Sequence, residues 1–356
     1  MVQPGRAIHR IPLLSADPRS IGFGSTLQPS DNNRRGDDMK YTPSDPVPPN
    51  PETVIWRYME DWKFKDLLQR FTGHDHWQTP KPGTRTVYSN DPGQLWFGFP
   101  GSFGDYKEGA FPAVNEDPET YCDRMADLLH HSPEEAKARK SRFLAADTQS
   151  IRDCNRDMAR LCGVSCWTAR DVESRTMWDD FVGNPNGIAI RSTCQHLEQA
   201  IRDAGGVAVR SANPSICEVA YVDHDSYLLQ YDGYRGLLSI VQRWNSHEKE
   251  VRLVCKSAAL AAITTPDRMK FSVSDPSDPK MVAAAKKQRL EEIASEVSQA
   301  CRQPKAEGFH LPIALSDLLC EVVLKPSCTA DYESTVRAQL KQAGCSNTPV
   351  RLSSLS

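Results

Sequence analysis

The sequence predicts an α+β protein in which helices flank a mixed, curved sheet. Two observations predict this class. Short apolar runs of strand length alternate with amphipathic stretches of helix length. In addition, neither G-x-x-x-x-G-K-[ST] nor a G-x-G-x-x-G that follows a strand occurs, which argues against a nucleotide-binding doubly wound sheet. No repeat of fixed period is visible.

The order of the predicted elements supports this class. Strands are predicted at VIWRYM, QLWFGF, GVSCWT, IAIRS, CEVAYV, CEVVLKP and PVRLSS. Helices are predicted at WKFKDLLQRF, 118–161, VESRTMWDDFV, CQHLEQAIRDAG, YRGLLSIVQRW and DYESTVRAQLKQAG. The fourth of these helices should end at Gly205, because glycine is favoured just after the last turn of a helix.

The 356 residues divide into a tail and one domain. Residues 1–50 are rich in Pro, Asp, Arg, Ser and Asn and lack an apolar period, so they are predicted to be disordered. Residues 51–356 are predicted to form a single α+β domain. Within it, 257–312 carries SDPSDPK and a highly charged helix, and is predicted to be a surface insertion.

Composition indicates a cytoplasmic protein. The formal net charge is −3 and the pI is about 6.3, so we expect no strong non-specific binding to nucleic acid. No apolar run approaches the roughly 20 residues that span a bilayer, and the patch IPLL is too short for a signal peptide, so no membrane partner is expected. The eleven cysteines lack C-x-x-C spacing and are expected to be reduced.

The segment RWNSHEKEVRLVC, residues 243–255, is unusually polar at the start of an apolar run. It resembles the zinc-protease motif H-E-x-x-H, but Val251 occupies the position of the second histidine. Its β-branched residues favour a strand. Alternation along a strand then places Glu250 and Arg252 on one face and Lys249 and Val251 on the other.

No resident metal is predicted. His74 and His76 form an H-x-H pair in a glycine-bearing loop without a third ligand nearby, which favours an ordinary polar loop over a zinc site. A nuclease-like alternative stays open, in which Asp105, Glu108 and Glu250 converge on Mg²⁺.

Six motifs resemble those of a widespread, largely bacterial family of domains of unknown function. They are WRYM (56–59), FGDYKEG (103–109), SCWT (165–168), MWDDF (177–181), GIAIRST (187–193) and HEKEVRLV (247–254). The resemblance covers most of 53–255 and 313–356.

The order of these motifs also resembles the R-S-E arrangement of ADP-ribosyltransferases, which implies a split sheet of that kind and NAD as substrate. By this resemblance Arg57 holds NAD, Ser165 supports the site, and Glu250 stabilises the oxocarbenium-like transition state. Glu248 then lies near the acceptor, which is a protein or a nucleic acid. The implied activity is ADP-ribose transfer or NAD cleavage, as in a bacterial toxin or defence effector.

Further residues are expected around the same cofactor. Tyr58 and Trp167 accompany the two strand motifs, and Ser165-Cys166-Trp167 stands where many transferases have Ser-Thr-Ser. In the loop FPGSFGDYKEGAF, Asp105 or Glu108 is expected within salt-bridge reach of a basic residue, with Arg57 as the favoured partner.

Simpler structural roles stay open for the same residues. Arg57 could pair with Asp61 or Asp105, Glu250 and Arg252 could form cross-strand ion pairs on a half-exposed sheet face, and Ser165 could be a small core residue. A non-catalytic binding domain that uses the same cleft is the alternative function. Side chains of Arg57, Ser165 and Glu250 that meet in one cleft would favour the enzyme, and side chains on different sides of the sheet would favour the binding domain.

Overall fold

The computed structural model describes residues 47–71, 92–103, 107–128, 131–145, 148–229, 233–265, 267–271, 273, 277–302 and 307–355. Asp105, the pair His74 and His76, and the predicted tail up to residue 46 lie outside these ranges.

The described residues form eleven strands and thirteen α-helices. The strands are β1 Val54–Glu60, β2 Gly93–Gly98, β3 Cys162–Ala169, β4 Gly187–Thr193, β5 Ser215–Glu218, β6 Ala220–Val222, β7 Ile240–Gln242, β8 Glu250–Lys256, β9 Gly308–Ile313, β10 Glu321–Leu324 and β11 Val350–Leu352. The helices are α1 Asp61–Leu68, α2 Ala113–Glu116, α3 Pro118–Leu128, α4 Pro133–Ala145, α5 Thr148–Arg160, α6 Arg175–Phe181, α7 Cys194–Ala204, α8 Gly206–Ala212, α9 Tyr234–Leu238, α10 Ala258–Ile263, α11 Pro279–Arg302, α12 Leu315–Leu318 and α13 Tyr332–Gln342.

Nine of these strands build one mixed sheet, and helices pack on both of its faces. The order β11-β10-β4-β1-β3-β2-β9 forms the main path, while β8 and β5 extend from β3. The pair β10–β11 is parallel and the other pairs of this sheet are antiparallel. The predicted α+β class with a mixed sheet and flanking helices is confirmed.

The sheet forks at β3, because three strands pair with it. β8 covers one edge from Cys162 to Thr168. The other edge is therefore shared: β1 pairs at its carboxyl end through Thr168 and Ala169, and β2 pairs at Val164. The stretch of β3 between these two contacts faces the gap where β1 and β2 diverge.

The two faces of β3 and β8 have different surroundings because side chains alternate along a strand. One face enters the largest apolar core through Trp167, Val251 and Leu253, together with residues of α1, α7, α8 and α13. The opposite face carries Val164 and Val254, which pack with α5, α10 and α11.

Two predicted elements differ from the structure. CEVAYV is split into β5 and β6 at Val219, whose N–H donates to the Glu250 carbonyl, and β6 then pairs with β7 in a separate two-stranded sheet. The helix predicted at YRGLLSIVQRW ends at Leu238. The β-branched pair Ile240 and Val241 continues as β7 instead, because β6 offers it a partner strand.

The segment 257–312 is predicted as a surface insertion, but its helix α11 packs into the second core and its strand β9 belongs to the sheet. Helix α11 buries Ile293 and Val297 completely in the second core. Strand β9 pairs along the whole length of β2, from Gly93 opposite Ile313 to Gly98 opposite Gly308. The sheet therefore includes a strand that we had placed outside it.

Candidate functional site

A cleft of about 850 Å³ lies over the fork in the sheet. Strands β1, β2, β3, β8 and β9, helix α1 and the turn before β8 contribute its walls. Aromatic side chains line it, among them Trp56, Tyr58, Trp62, Trp96, Trp167 and Phe181. Its size and mixed lining are typical of small-molecule sites.

Arg57 is a fixed cation at one side of this cleft. Its Nη1 donates to Ser165 Oγ at 2.7 Å, and its guanidinium lies 5.6 Å from the Trp167 ring centre. Burial lowers the pKa of Arg57 to about 10, against the smaller opposing influence of Cys166 and Asp66. Within the described residues no carboxylate forms a salt bridge with Arg57.

Ser165 lies beneath Arg57 and accepts its hydrogen bond. Ser165 itself is only 1% exposed. The register β3–β8 puts Ser165 opposite Leu253, on the core face of the sheet. Its Oγ also accepts a hydrogen bond from Trp167 Nε1 at 3.2 Å. Ser165 therefore orients Arg57 and Trp167 without lining the cleft itself.

The other side of the cleft contains a buried acidic cluster built on Arg252. Arg252 Nη2 donates to Glu250 Oε2 at 2.9 Å and also contacts Glu108 Oε1, while Nη1 donates to the Leu238 carbonyl at 2.9 Å. The three charged side chains are 3–7% exposed. Burial lowers the pKa of Arg252, but Glu250, Cys166 and Glu108 together outweigh it, so the pKa lies well above its usual value.

Strand register and one turn position Glu250. Thr168 pairs with Glu250 and Cys166 with Arg252, so these side chains share the face opposite to Ser165. Lys249 adopts a left-handed conformation with φ 48°, which is uncommon for lysine and turns the chain into β8. The Glu250 N–H donates to the Tyr221 hydroxyl at 2.6 Å, which fixes the start of the strand.

Glu248 lies just before this turn, at the end of the 3₁₀ helix Arg243–Glu248. It is half-buried at the wall of the cleft. Burial, followed by the charge of Glu250, raises the pKa of Glu248 to about 7. A carboxyl with such a pKa can take up and release a proton at neutral pH.

Tyr58 forms part of the aromatic wall. Its hydroxyl accepts the Ser174 N–H at 2.9 Å, and its ring contacts those of Trp56 and Trp178 at 6.2 and 5.0 Å. Burial raises the pKa of Tyr58 to about 12. Tyr58 is therefore a rigid, neutral surface for a ligand to pack against.

The predicted site residues thus meet only in part. The cleft brings together Arg57, Tyr58, Trp167, Glu108, Glu248 and Glu250. Ser165 lies on the other face of the sheet, beneath the cleft, and Arg57 bonds to it from the same face, whereas Glu250 extends from the opposite face. Arg57 and Glu250 therefore start from different sides of the sheet, which is the arrangement that favours the binding domain.

Two predicted pairings have different partners in the structure. Glu108 does reach a basic residue, but the contact is with Arg252 and not with the favoured Arg57. Asp61, an alternative partner for Arg57, bonds instead to Lys65 and to the Tyr332 hydroxyl. Glu250 and Arg252 pair with each other along β8, on a buried face of the sheet, where cross-strand pairs on a half-exposed face were the alternative considered.

A polar group at the base of the cleft was missed from the sequence. His310 Nε2 lies 2.8 Å from Asp66 Oδ2, and Gln94 Nε2 donates to Asp66 Oδ1 at 2.9 Å. The Trp96 ring meets the His310 ring edge-on at 4.9 Å. The alternating pattern of GFHLPI could have indicated strand β9, but this stretch fell in the predicted insertion.

Among the described residues, no group of three or more His, Cys, Asp and Glu side chains is arranged to hold a metal ion. Glu108 and Glu250, two members of the magnesium alternative, converge on the guanidinium of Arg252. In the same part of the chain, no helix has the length and apolarity needed to cross a bilayer.

Comparisons of the chain with protein-family models, with curated proteins and with solved structures found no match.

Proposed function

We propose that this cleft binds NAD and cleaves the bond between nicotinamide and ribose, with transfer of ADP-ribose to a protein or nucleic-acid acceptor or to water. One observation carries the proposal: a cation without a carboxylate partner among the described residues and a buried acidic cluster line the same aromatic cleft. NAD carries the matching charges, a pyrophosphate and a cationic nicotinamide ring.

The charges at the two sides support opposite roles. Arg57 is desolvated and held by neutral groups, so an anionic ligand can satisfy it with charge-assisted hydrogen bonds. In the cluster, the carboxylates of Glu108 and Glu250 both contact the Arg252 guanidinium, so acidic charge is held at this side of the cleft. A cationic ring or an oxocarbenium-like sugar is stabilised beside such a charge.

Glu250 and Glu248 then have different roles in the proposed reaction. Arg252 holds Glu250 in one orientation, so its charge is already in place when positive charge develops on the ribose. Glu248, with its pKa near 7, accepts the proton of the attacking acceptor or water. The fork at β3 supports an ADP-ribosyltransferase-like split sheet as the proposed fold.

The test is nicotinamide release from NAD by the full chain and by Glu250→Gln. The amide can still accept the Arg252 hydrogen bond but has lost its charge, so we expect release to fall about 100-fold or more with the fold intact. Glu218→Gln is the matched control, because Glu218 lies on the neighbouring strand β5 and is exposed. Wild-type protein that neither releases nicotinamide nor binds NAD contradicts the proposal.

A non-catalytic binding domain is the second candidate, favoured by the close hold of Arg252 on Glu250. Titration with ADP-ribose separates the two functions, because four tryptophans line the cleft and report binding through their fluorescence. Binding that is lost in Arg57→Met, without nicotinamide release by the wild type, identifies a binding domain. Binding together with release that depends on Glu250 identifies the enzyme.

A further inference from the structure

Cys320 and His196 form a thiol–imidazole pair away from the cleft. Cys320 Sγ lies 3.1 Å from His196 Nδ1, within hydrogen-bond distance for sulfur. Cys320 is half-buried just before β10, and His196 is exposed in the first turn of α7. Reagents from solution can therefore approach the pair.

The hydroxyl of Ser192 is also near the Cys320 sulfur, but it does not act as the base for the thiol. Ser192 Oγ lies 3.7 Å from the sulfur, but it donates its proton to the Leu318 carbonyl at 2.8 Å. Nδ1 of His196 can accept the thiol proton when the ring proton is on Nε2, and it shares this position with Thr193 Oγ1, which lies 3.1 Å away. The imidazole is thus the group that can deprotonate Cys320.

Two further features of the fold affect the electrostatic environment of the Cys320 sulfur. Helix α7 begins at Cys194, between Ser192 and His196, and the positive end of a helix favours a nearby thiolate. Asp317 and Asp203 are the nearby acids. Burial, and then the charge of Asp203, raises the pKa of Asp317, while the charge of His196 opposes this shift.

The other accessible thiols have a less reactive setting. Five other cysteines are half-buried like Cys320. Burial raises the pKa of Cys122, Cys154, Cys166 and Cys328, and the fifth, Cys301, donates its thiol proton to the Asp157 carbonyl. Since the thiolate is the nucleophile, burial slows each of these four.

We propose that Cys320 is a modification site of this protein, at which low-molecular-weight disulfides form a mixed disulfide. The thiol proton passes to His196, and the thiolate attacks one sulfur of the disulfide. A new S–S bond forms as the old one breaks. The leaving thiolate takes the proton from His196, so no further oxidant is needed.

The experiment treats the full, reduced protein with oxidised glutathione and follows each cysteine by peptide mass spectrometry. We expect Cys320 to be modified about tenfold faster than Cys122 and Cys328, the two matched controls. His196→Gln should slow Cys320 about tenfold while leaving both controls unchanged.

A second measurement separates a proton acceptor from a structural role for His196. Near pH 9 a free thiol ionises without help, so the difference between wild type and His196→Gln should narrow there. A difference that persists at this pH indicates altered access and overturns the proposal. Equal rates for Cys320, Cys122 and Cys328 in the wild type overturn it as well.

Discussion

Two arginines on opposite sides of the cleft show how different a buried cation can be. Arg57 donates to a serine hydroxyl and packs on an indole ring, and its pKa falls to about 10. Arg252 donates to Glu250, Glu108 and a backbone carbonyl, and its pKa rises well above the usual value. Both guanidinium groups line the same cleft.

The difference lies in how each charge is compensated. Arg252 is part of the architecture, because it holds two carboxylates together that would otherwise repel each other. Arg57 remains a charge with neutral partners, a costly arrangement that a bound anion would relieve. The same guanidinium chemistry therefore leads to opposite functional expectations at the two positions.

The largest expected effect is a difference in the free energy of unfolding between variants of the two arginines. Arg252→Met removes the guanidinium that holds the buried Glu108 and Glu250 side chains together and should lower the free energy of unfolding by about 3–5 kcal/mol. Arg57→Met removes a cation that lacks a described carboxylate partner and should cost less than about 1 kcal/mol. Urea unfolding of both variants measures the contrast.

The exposed pair Arg202–Glu198 supplies the control for that experiment. Its side chains are 66% and 47% exposed, so Arg202→Met should leave the urea midpoint nearly unchanged. Equal losses of unfolding free energy in Arg57→Met and Arg252→Met would contradict the distinction between the two cations.

A smaller effect is expected from the hydroxyl that holds Arg57. Ser165→Ala leaves Arg57 Nη1 and Trp167 Nε1 without their shared acceptor, which should cost about 2 kcal/mol. Thermal unfolding measures this loss, and ADP-ribose titration should show weaker binding because Arg57 is less well fixed. Ser174→Ala, which removes only a helix cap, is a control that should preserve ADP-ribose binding. Unchanged stability and binding in Ser165→Ala would show that Ser165 is a passive core residue.

The smallest effect concerns Glu248 and pH. Its pKa is raised from an ordinary 4.5 to about 7, so the folded state binds this proton more tightly than the unfolded state. The stabilisation is complete below pH 4.5 and is lost as the pH rises through 7. Because the group is only half-buried, solvent screening reduces the effect to about 1 kcal/mol.

Glu248→Gln should therefore flatten the dependence of stability on pH between about 4.5 and 7, as measured by urea midpoints across that range. In the proposed reaction, transfer by the wild type should rise through the same window as Glu248 loses its proton. A pH profile of stability that is identical in the two proteins would place the titrating group elsewhere.

The sequence predicted the strands of the cleft well, because each carries a local pattern. The run around Arg57 and the run around Trp167 have the alternation and β-branched content of strands, and both form as predicted. The face shared by Glu250 and Arg252 also follows from alternation alone and is confirmed.

The contacts between distant segments could not be predicted in the same way. The partner of Glu108 depends on where the loop before α2 meets β8, a tertiary contact with no local pattern. The left-handed turn at Lys249 also has no signal, since lysine does not favour it. His310 was missed because a charged helix obscured the strand that follows it.

The pairing of β2 with β9 has a consequence for how the chain folds. Gly93 pairs with Ile313, 220 positions later, so this contact must close a very long loop. The chain loses the entropy of closing this loop before the pairing contributes any stability. Contacts of such separation therefore form slowly. Gln94, Trp96 and His310 lie on these two strands, so the base of the cleft should be assembled late. During synthesis, a ribosome-bound chain cannot complete the cleft until β9 has emerged.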